Sequence, residues 1–281
     1  MSGFSASDAA LEGFQVIRRH WRLVVGWAGF NVMALVAMVV VAFIGIILSV
    51  ALVGMGGGGR EGAALAGQVI GSLVGGLGTL AIEVAVVAAL FRLLLRDTET
   101  PGFFHLRLGR DEVRLLAVWL TVLAMLVALV FGVAGLTALG RKAGTAAAVL
   151  VAVGGVGGAV WLLTRVCLAA PLSFAERRFG VAAAWRLSRG RFWALLGMNL
   201  LALCLLALVA LLAWLALYMA QVALSGFHDF GLLSLSDTEA LKEHPLKYLL
   251  QLVAQLAFAP VLWVISQAPL AAAYKALSEG P

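Results

Sequence analysis

Six apolar runs constrain this chain more than any other feature of its sequence. A transmembrane helix needs about 20 consecutive apolar residues, and each of these runs is at least that long. The predicted spans are residues 23–53, 65–96, 114–139, 145–170, 192–222 and 247–277. Hydrophobic residues make up 63% of the chain and charged residues only 12%, which excludes a soluble globular fold. The sequence therefore predicts an all-α, polytopic integral membrane bundle.

The connections between the runs predict how the bundle is organised. The short turn at residues 140–143 favours an antiparallel hairpin of the third and fourth spans, and internal sequence repetition predicts three such hairpins within a single membrane domain, residues 1–281. Residues 4–19 and 172–190 are amphipathic and are predicted to be helices that lie on the membrane surface. A plain loop is the alternative for 172–190. Within the acidic connection 223–246, Ser236 and Glu239 fit a capping box, which predicts a short helix.

Positive charge is distributed unevenly between the two sides of this topology. If the N-terminus is cytoplasmic, fifteen Lys and Arg residues lie on that side and five on the other. This bias predicts a multi-pass protein of the plasma membrane with both termini in the cytoplasm. Because the charges cluster beside the spans, they favour anionic phospholipid headgroups over nucleic acid as partners. The predicted headgroup-binding residues are Arg18, Arg19, Arg177, Arg178, Arg186, Arg189 and Arg191.

The second span carries a polar stripe. Gln68, Ser72, Gly76, Thr79 and Glu83 follow one another at intervals of four, four, three and four residues, so they share one helical face. Leu, Val, Ile and Ala occupy the other faces, which lipid can cover. The stripe is therefore predicted to point toward the interior of the bundle.

Two intramembrane charges are expected to need compensation. Glu83 in the second span and Arg165 in the fourth are each costly alone in hydrocarbon, which predicts an ion pair between them. The alternative is that the Arg165 side chain extends to the nearby interface. A glycine row, Gly67, Gly71 and Gly75, permits close helix packing, either within the chain, in a homo-oligomer or with another membrane protein.

Other polar residues occur singly within the spans. They are Asn31, Asn199, Gln251, Gln255 and Ser266, and we expect them to form hydrogen bonds between helices rather than to line a substrate path. The two cysteines and four histidines lack the spacing of a metal or redox site. No catalytic triad, paired-carboxylate site or nucleotide-binding motif occurs in a suitable setting, so neither enzymatic activity nor a cofactor is expected.

One stretch resembles a known family. Arg165, Pro171 and Glu176, followed by the basic and aromatic residues from Trp185 to Trp193, resemble the bacterial six-span proteins grouped with the membrane domain of glycerophosphoryl diester phosphodiesterases. The resemblance implies an inner-membrane helical module. Residues 1–281 contain nothing that resembles the family's hydrolase domain. The expected function is a structural or regulatory membrane component that engages anionic lipids. The alternative is a transporter or channel for a small solute or lipid that uses the stripe near Glu83.

Overall fold

Long helices dominate the computed structural model, which describes residues 5–55, 60–96, 109–225 and 245–278. The described residues contain no β-strand. The helices are α1 (Ala6–Arg19), α2 (Trp21–Met55), α3 (Arg60–Leu95), α4 (Arg110–Ala143), α5 (Thr145–Val166), α6 (Ala169–Ala175), α7 (Val181–Leu187), α8 (Phe192–Ser225) and α9 (Pro245–Ser278). The helix predicted from Ser236 and Glu239 lies outside the described residues. The predicted all-α membrane fold is confirmed.

Among the described residues, six helical segments are long and apolar enough to cross a membrane. They are Trp21–Leu48, Gly67–Leu95, Arg110–Arg141, Thr145–Ala175, Phe192–Ala223 and Leu249–Ser278. Large apolar side chains such as Val36, Phe43 and Phe131 are exposed on these segments, as lipid-facing residues are in a membrane protein. Each predicted span therefore corresponds to one of these six segments.

The turn between α4 and α5 shows how glycine permits a tight hairpin. The sequence places this turn at residues 140–143, but α4 continues through Ala143 and only Gly144 separates the two helices. Gly144 has φ 124° and ψ 160°, a conformation that L side chains rarely adopt. Gly155 of α5 packs directly against Val133 of α4, so the two helices are still close about three helical turns away from Gly144. The predicted antiparallel hairpin is confirmed, with a tighter turn.

The chain divides into two compact units. In the first, residues 5–15, 88–96, 109–205 and 265–278 surround one apolar core. This core combines Ala10 of α1, Val118 near the start of α4 and Leu168 after α5 with Met198 near the start of α8 and Ala273 near the end of α9. Ends of several spans therefore meet in this unit.

The second unit contains residues 16–55, 60–87, 206–225 and 245–264. Small residues bring α2 and α3 together, because Gly78 packs against Met38 and Gly67 lies near Ile46. Side-chain amides connect other helices of this unit, as described below. The predicted single domain stays a prediction.

The predicted surface helix over residues 172–190 is wrong as a single element. Pro171 has no N–H to donate to the carbonyl of Cys167, and α5 ends just before this point. The short helix α6 is then buried from Ala169 to Phe174. Ser173 Oγ accepts a hydrogen bond from the backbone N–H of Gly180 at 2.9 Å and closes a turn. Only after this turn does α7 begin, so the segment consists of two short helices.

Candidate functional site

The structure does not bury the polar stripe of α3. Gln68, Ser72, Gly76 and Thr79 are exposed, and Glu83 is partly exposed. The prediction that this face points toward the interior is therefore wrong over its first four residues. Thr79 Oγ1 donates a hydrogen bond to the carbonyl of Gly75 at 2.8 Å, so its hydroxyl is satisfied within the helix.

The opposite face of α3 explains why the polar stripe is exposed. Gly67 and Gly78 are eleven residues apart, about three helical turns, and both contact α2. Ile70 shares this face and lies against Gly45. The stripe begins one residue after Gly67 and follows the other side of the helix. Close packing at small residues therefore decides which face α2 covers.

Only part of the predicted glycine row takes part in this packing. A Cβ at Gly67 would lie 3.7 Å from Ile46, whereas nothing among the described residues lies within 4 Å of such an atom at Gly71 or Gly75. The predicted pair of Glu83 and Arg165 joins residues of different units, so it stays a prediction.

The buried amides form hydrogen bonds between helices. Asn31 Nδ2 donates to the carbonyl of Leu256 at 2.8 Å and connects α2 to α9. Gln221 Nε2 donates to Gln251 Oε1 at 3.0 Å and connects α8 to α9. The expectation that Asn31 and Gln251 form hydrogen bonds between helices is confirmed. Gln255 is exposed.

A buried ion-pair network joins the end of α3 to the start of α4, and the sequence reasoning missed it. Arg92 forms an ion pair with Glu112, and their side chains are only 7% and 5% exposed. The second carboxylate oxygen of Glu112 accepts a hydrogen bond from the backbone N–H of Gly109 at 2.8 Å. One carboxylate therefore neutralises a buried arginine and caps a helix.

Arg96 extends the same network one turn further along α3. Its Nη1 lies 2.7 Å from Asp111 Oδ2, and the other oxygen of Asp111 lies 2.6 Å from Arg114 Nη1. Arg96 also donates to the carbonyl of Phe174, and its guanidinium lies 4.5 Å from the centre of that ring. Two arginines one turn apart, with two adjacent carboxylates at the next helix start, are the pattern that would have predicted this network.

A second group of arginines points outward. We define the arginine surface as Arg177, Arg178, Arg186, Arg189 and Arg191, which lie within α7 or beside it and are all exposed. Exposed aromatic rings accompany them, with Phe179 55% exposed and Trp193 79% exposed. Arg178 Nε lies 2.5 Å from Glu176 Oε2 in a solvent-accessible pair. Arg18 and Arg19 at the end of α1 are exposed as well.

Arg165 differs from both groups. Its guanidinium lies 5.7 Å from the ring centre of Trp161 and 5.8 Å from that of Trp185. Its Nε and Nη1 atoms are buried and have no hydrogen-bond partner among the described residues. Ser188 Oγ donates to the Arg165 carbonyl at 3.2 Å and so holds the end of α7 against α5.

These features define a class of protein: a polytopic α-helical membrane protein with an outward-facing arginine surface at the ends of its spans. No family model, no curated protein and no solved structure matches this chain. The resemblance to the membrane domain of the phosphodiesterases therefore stays an expectation from sequence.

Proposed function

We propose that this protein is a non-enzymatic structural component of a bacterial inner membrane that binds anionic phospholipid headgroups through its arginine surface. The observation that carries the proposal is the exposure of all five arginines of this surface beside exposed Phe179 and Trp193. Aromatic rings of this kind favour the headgroup level of a bilayer, and a nearby Lys or Arg contributes about 1 kcal/mol to binding an anionic surface.

The contrast with the buried network supports this assignment. Arg92 and Arg96 form ion pairs with Glu112 and Asp111, so their charges stabilise the fold. Within the arginine surface, the pair of Arg178 with Glu176 is largely exposed, and pairs of this kind contribute little to stability. Arg186, Arg189 and Arg191 are exposed, so their positive charge is available to an external anion.

The backbone around α7 holds this surface in a defined shape. Gly180 packs against Leu172 so closely that a Cβ would collide with it, and Gly190 has φ 76°. Backbone N–H groups of Arg189 and Arg191 donate to the carbonyls of Arg186 and Ser188, at 3.1 Å and 3.3 Å. Since these turns fix the chain, less conformational entropy is lost when a headgroup binds.

Transport has weaker support. That hypothesis relied on a buried polar stripe in α3, and Gln68, Ser72 and Thr79 are exposed on the side of the helix away from α2. Asn31 and Gln251 hold helices together instead of lining a path. Transport is therefore the alternative function. Measuring solute flux into vesicles that contain the wild type or Glu83→Gln tests it.

Electron spin resonance of spin-labelled lipids tests the proposal. In membranes of mixed composition, the wild type should associate more strongly with phosphatidylglycerol than with phosphatidylcholine, and salt should reduce the difference. Replacing Arg186, Arg189 and Arg191 by Gln should remove most of the preference.

A matched pair of single variants provides the control. Arg189→Gln should weaken the preference for phosphatidylglycerol. Arg141→Gln, at an exposed position near the C-terminal end of α4, should leave this preference unchanged. No preference in the wild type, or an unchanged preference in the triple variant, would contradict the proposal.

A further inference from the structure

Arg165 places a positive charge inside the span Thr145–Ala175. The buried Nε and Nη1 atoms find no hydrogen-bond partner among the residues that the structure describes. A buried donor without an acceptor is costly. The arrangement therefore favours an anion that comes from outside the chain.

Aromatic rings, not carboxylates, position this guanidinium. Trp161 and Trp185 pack edge to face, with ring centres 5.1 Å apart, and both rings lie within 6 Å of Arg165. Ser188 Oγ bonds to the carbonyls of Arg165 and Trp185, which ties α7 to this point of α5. Trp161 is 45% exposed, so the cluster reaches the molecular surface.

We propose that Arg165, Trp161 and Trp185 form a binding site for one phosphate oxyanion, supplied by the headgroup of an anionic phospholipid. Guanidinium donors match phosphate oxygens in geometry and charge, and tryptophan favours the headgroup level. This inference rests on the proposed function and deepens it. The arginine surface attracts anionic lipid generally, whereas Arg165 retains a single molecule.

Salt separates the two kinds of binding. The Debye length falls from about 10 Å at 0.1 M salt to about 3 Å at 1 M, so lipid held by exposed arginines should dissociate at high salt. A phosphate in contact with a partly buried guanidinium is screened much less. Wild-type protein in detergent, loaded with dioleoylphosphatidylglycerol and washed at high salt, should therefore retain one lipid per chain, measured as lipid phosphorus.

The variants assign that retained molecule. Arg165→Gln should lose it, and Arg165→Lys should bind it roughly tenfold more weakly, because an ammonium lacks the planar donor array of a guanidinium. Arg189→Gln is the matched control from the arginine surface: it should keep the salt-resistant lipid and lose part of the salt-sensitive fraction. Size-exclusion chromatography confirms that each variant is folded before lipid is counted.

A second arm identifies the source of the phosphate. Radiolabelled inorganic phosphate is offered to the wild type in place of lipid, at the same ionic strength. Arg165-dependent retention of lipid alone supports the headgroup, whereas Arg165-dependent retention of inorganic phosphate supports the phosphate site but assigns it to a free ion. If neither probe is retained in an Arg165-dependent way, the inference is overturned, although the salt-sensitive lipid preference of the proposed function can still stand.

Glu83 provides the competing explanation for Arg165. A double-mutant cycle of Glu83→Gln and Arg165→Gln, measured by thermal unfolding in lipid-free detergent, distinguishes the two. Independent effects are expected if phosphate is the natural counter-ion. Strong coupling would show that Glu83 already compensates Arg165, and it would overturn the phosphate site.

Discussion

Arg92 and Arg165 occupy comparable surroundings in the same unit but differ in how their charge is compensated. Each guanidinium lies near an aromatic ring, Arg92 5.8 Å from the centre of Phe174 and Arg165 5.7 Å from that of Trp161. Arg92 also forms a buried ion pair with Glu112. The aromatic environment alone therefore does not distinguish a structural arginine from a candidate binding residue.

The difference teaches that the nearby carboxylate is the deciding feature. A buried charge that has its counter-ion in the chain stabilises a particular packing of helices, here the end of α3 on the start of α4. A buried charge that has no counter-ion among the described residues of its own unit can form hydrogen bonds to another molecule. Variants that remove either the carboxylate or the arginine test this distinction.

The largest effect is expected for Glu112→Gln. This change leaves the Arg92 guanidinium buried without its counter-ion and weakens the cap at Gly109, so it should lower the free energy of unfolding by about 3–5 kcal/mol. Thermal or denaturant unfolding in detergent measures this loss. Glu176→Gln is the matched control, because its pair with Arg178 is exposed and should contribute less than about 1 kcal/mol.

A paired replacement checks the cause of that loss. Arg92→Met combined with Glu112→Leu removes both charges together and should recover most of the stability that Glu112→Gln loses. If the double variant is no more stable than Glu112→Gln, an unpaired buried charge is not what destabilises the single variant.

A smaller loss is expected for Asp111→Asn. The carboxylate of Asp111 bridges Arg96 and Arg114 but is 20% exposed. Water can therefore hydrate the two arginines when the carboxylate is lost. We expect a decrease of about 1.5–3 kcal/mol, the contribution of hydrogen bonds to charged groups. The same unfolding assay gives the value. A loss as large as that of Glu112→Gln would show that the degree of burial does not decide which carboxylate of the network stabilises the protein more.

Hydropathy predicted most of the fold because lipid imposes a simple rule. A span must be predominantly apolar over about 20 consecutive residues, so each of the six long segments could be recognised from its own sequence. The same local reasoning could not predict which face of α3 is covered. That choice depends on small residues of two helices meeting, Gly45 against Ile70 and Gly78 against Met38, which is a property of a pair of helices.

The candidate site was predicted in part for a related reason. Exposed arginines beside the spans follow from charge clustering alone, and Arg18, Arg19 and the five residues of the arginine surface are exposed as headgroup binding requires. The pairing of Arg92 with Glu112 joins charged residues on both sides of residues 97–108, so it can be predicted only when the ends of the two helices are considered together. Likewise, Trp185 reaches Arg165 only because the break at Gly180 reorients the chain between α6 and α7.

The attachment of α7 to α5 should contribute less than either ion pair. Ser188 is buried, and its hydroxyl bonds to the carbonyls of Arg165 and Trp185. Ser188→Ala should lower the free energy of unfolding by about 1 kcal/mol, the typical contribution of a neutral hydrogen bond. It should also weaken retention of phosphatidylglycerol, because Trp185 loses its fixed position. Ser278→Ala, an exposed serine that bonds within α9, should change neither value.

The smallest loss of stability is expected for Arg165→Met in lipid-free detergent. Losing the contacts with Trp161 and Trp185 costs about 0.5–1 kcal/mol each, while removing the unsatisfied buried donors recovers about 1–3 kcal/mol in all, so the net effect should lie between a loss of about 1 kcal/mol and a gain of about 2 kcal/mol. Arg92→Met, which strands Glu112, should cost about 3–5 kcal/mol in the same assay. Added phosphatidylglycerol should then stabilise the wild type but not Arg165→Met, since a ligand stabilises only a protein that binds it. Equal losses for Arg92→Met and Arg165→Met without lipid would mean that the chain itself compensates both arginines, and the distinction between the two regions would no longer hold.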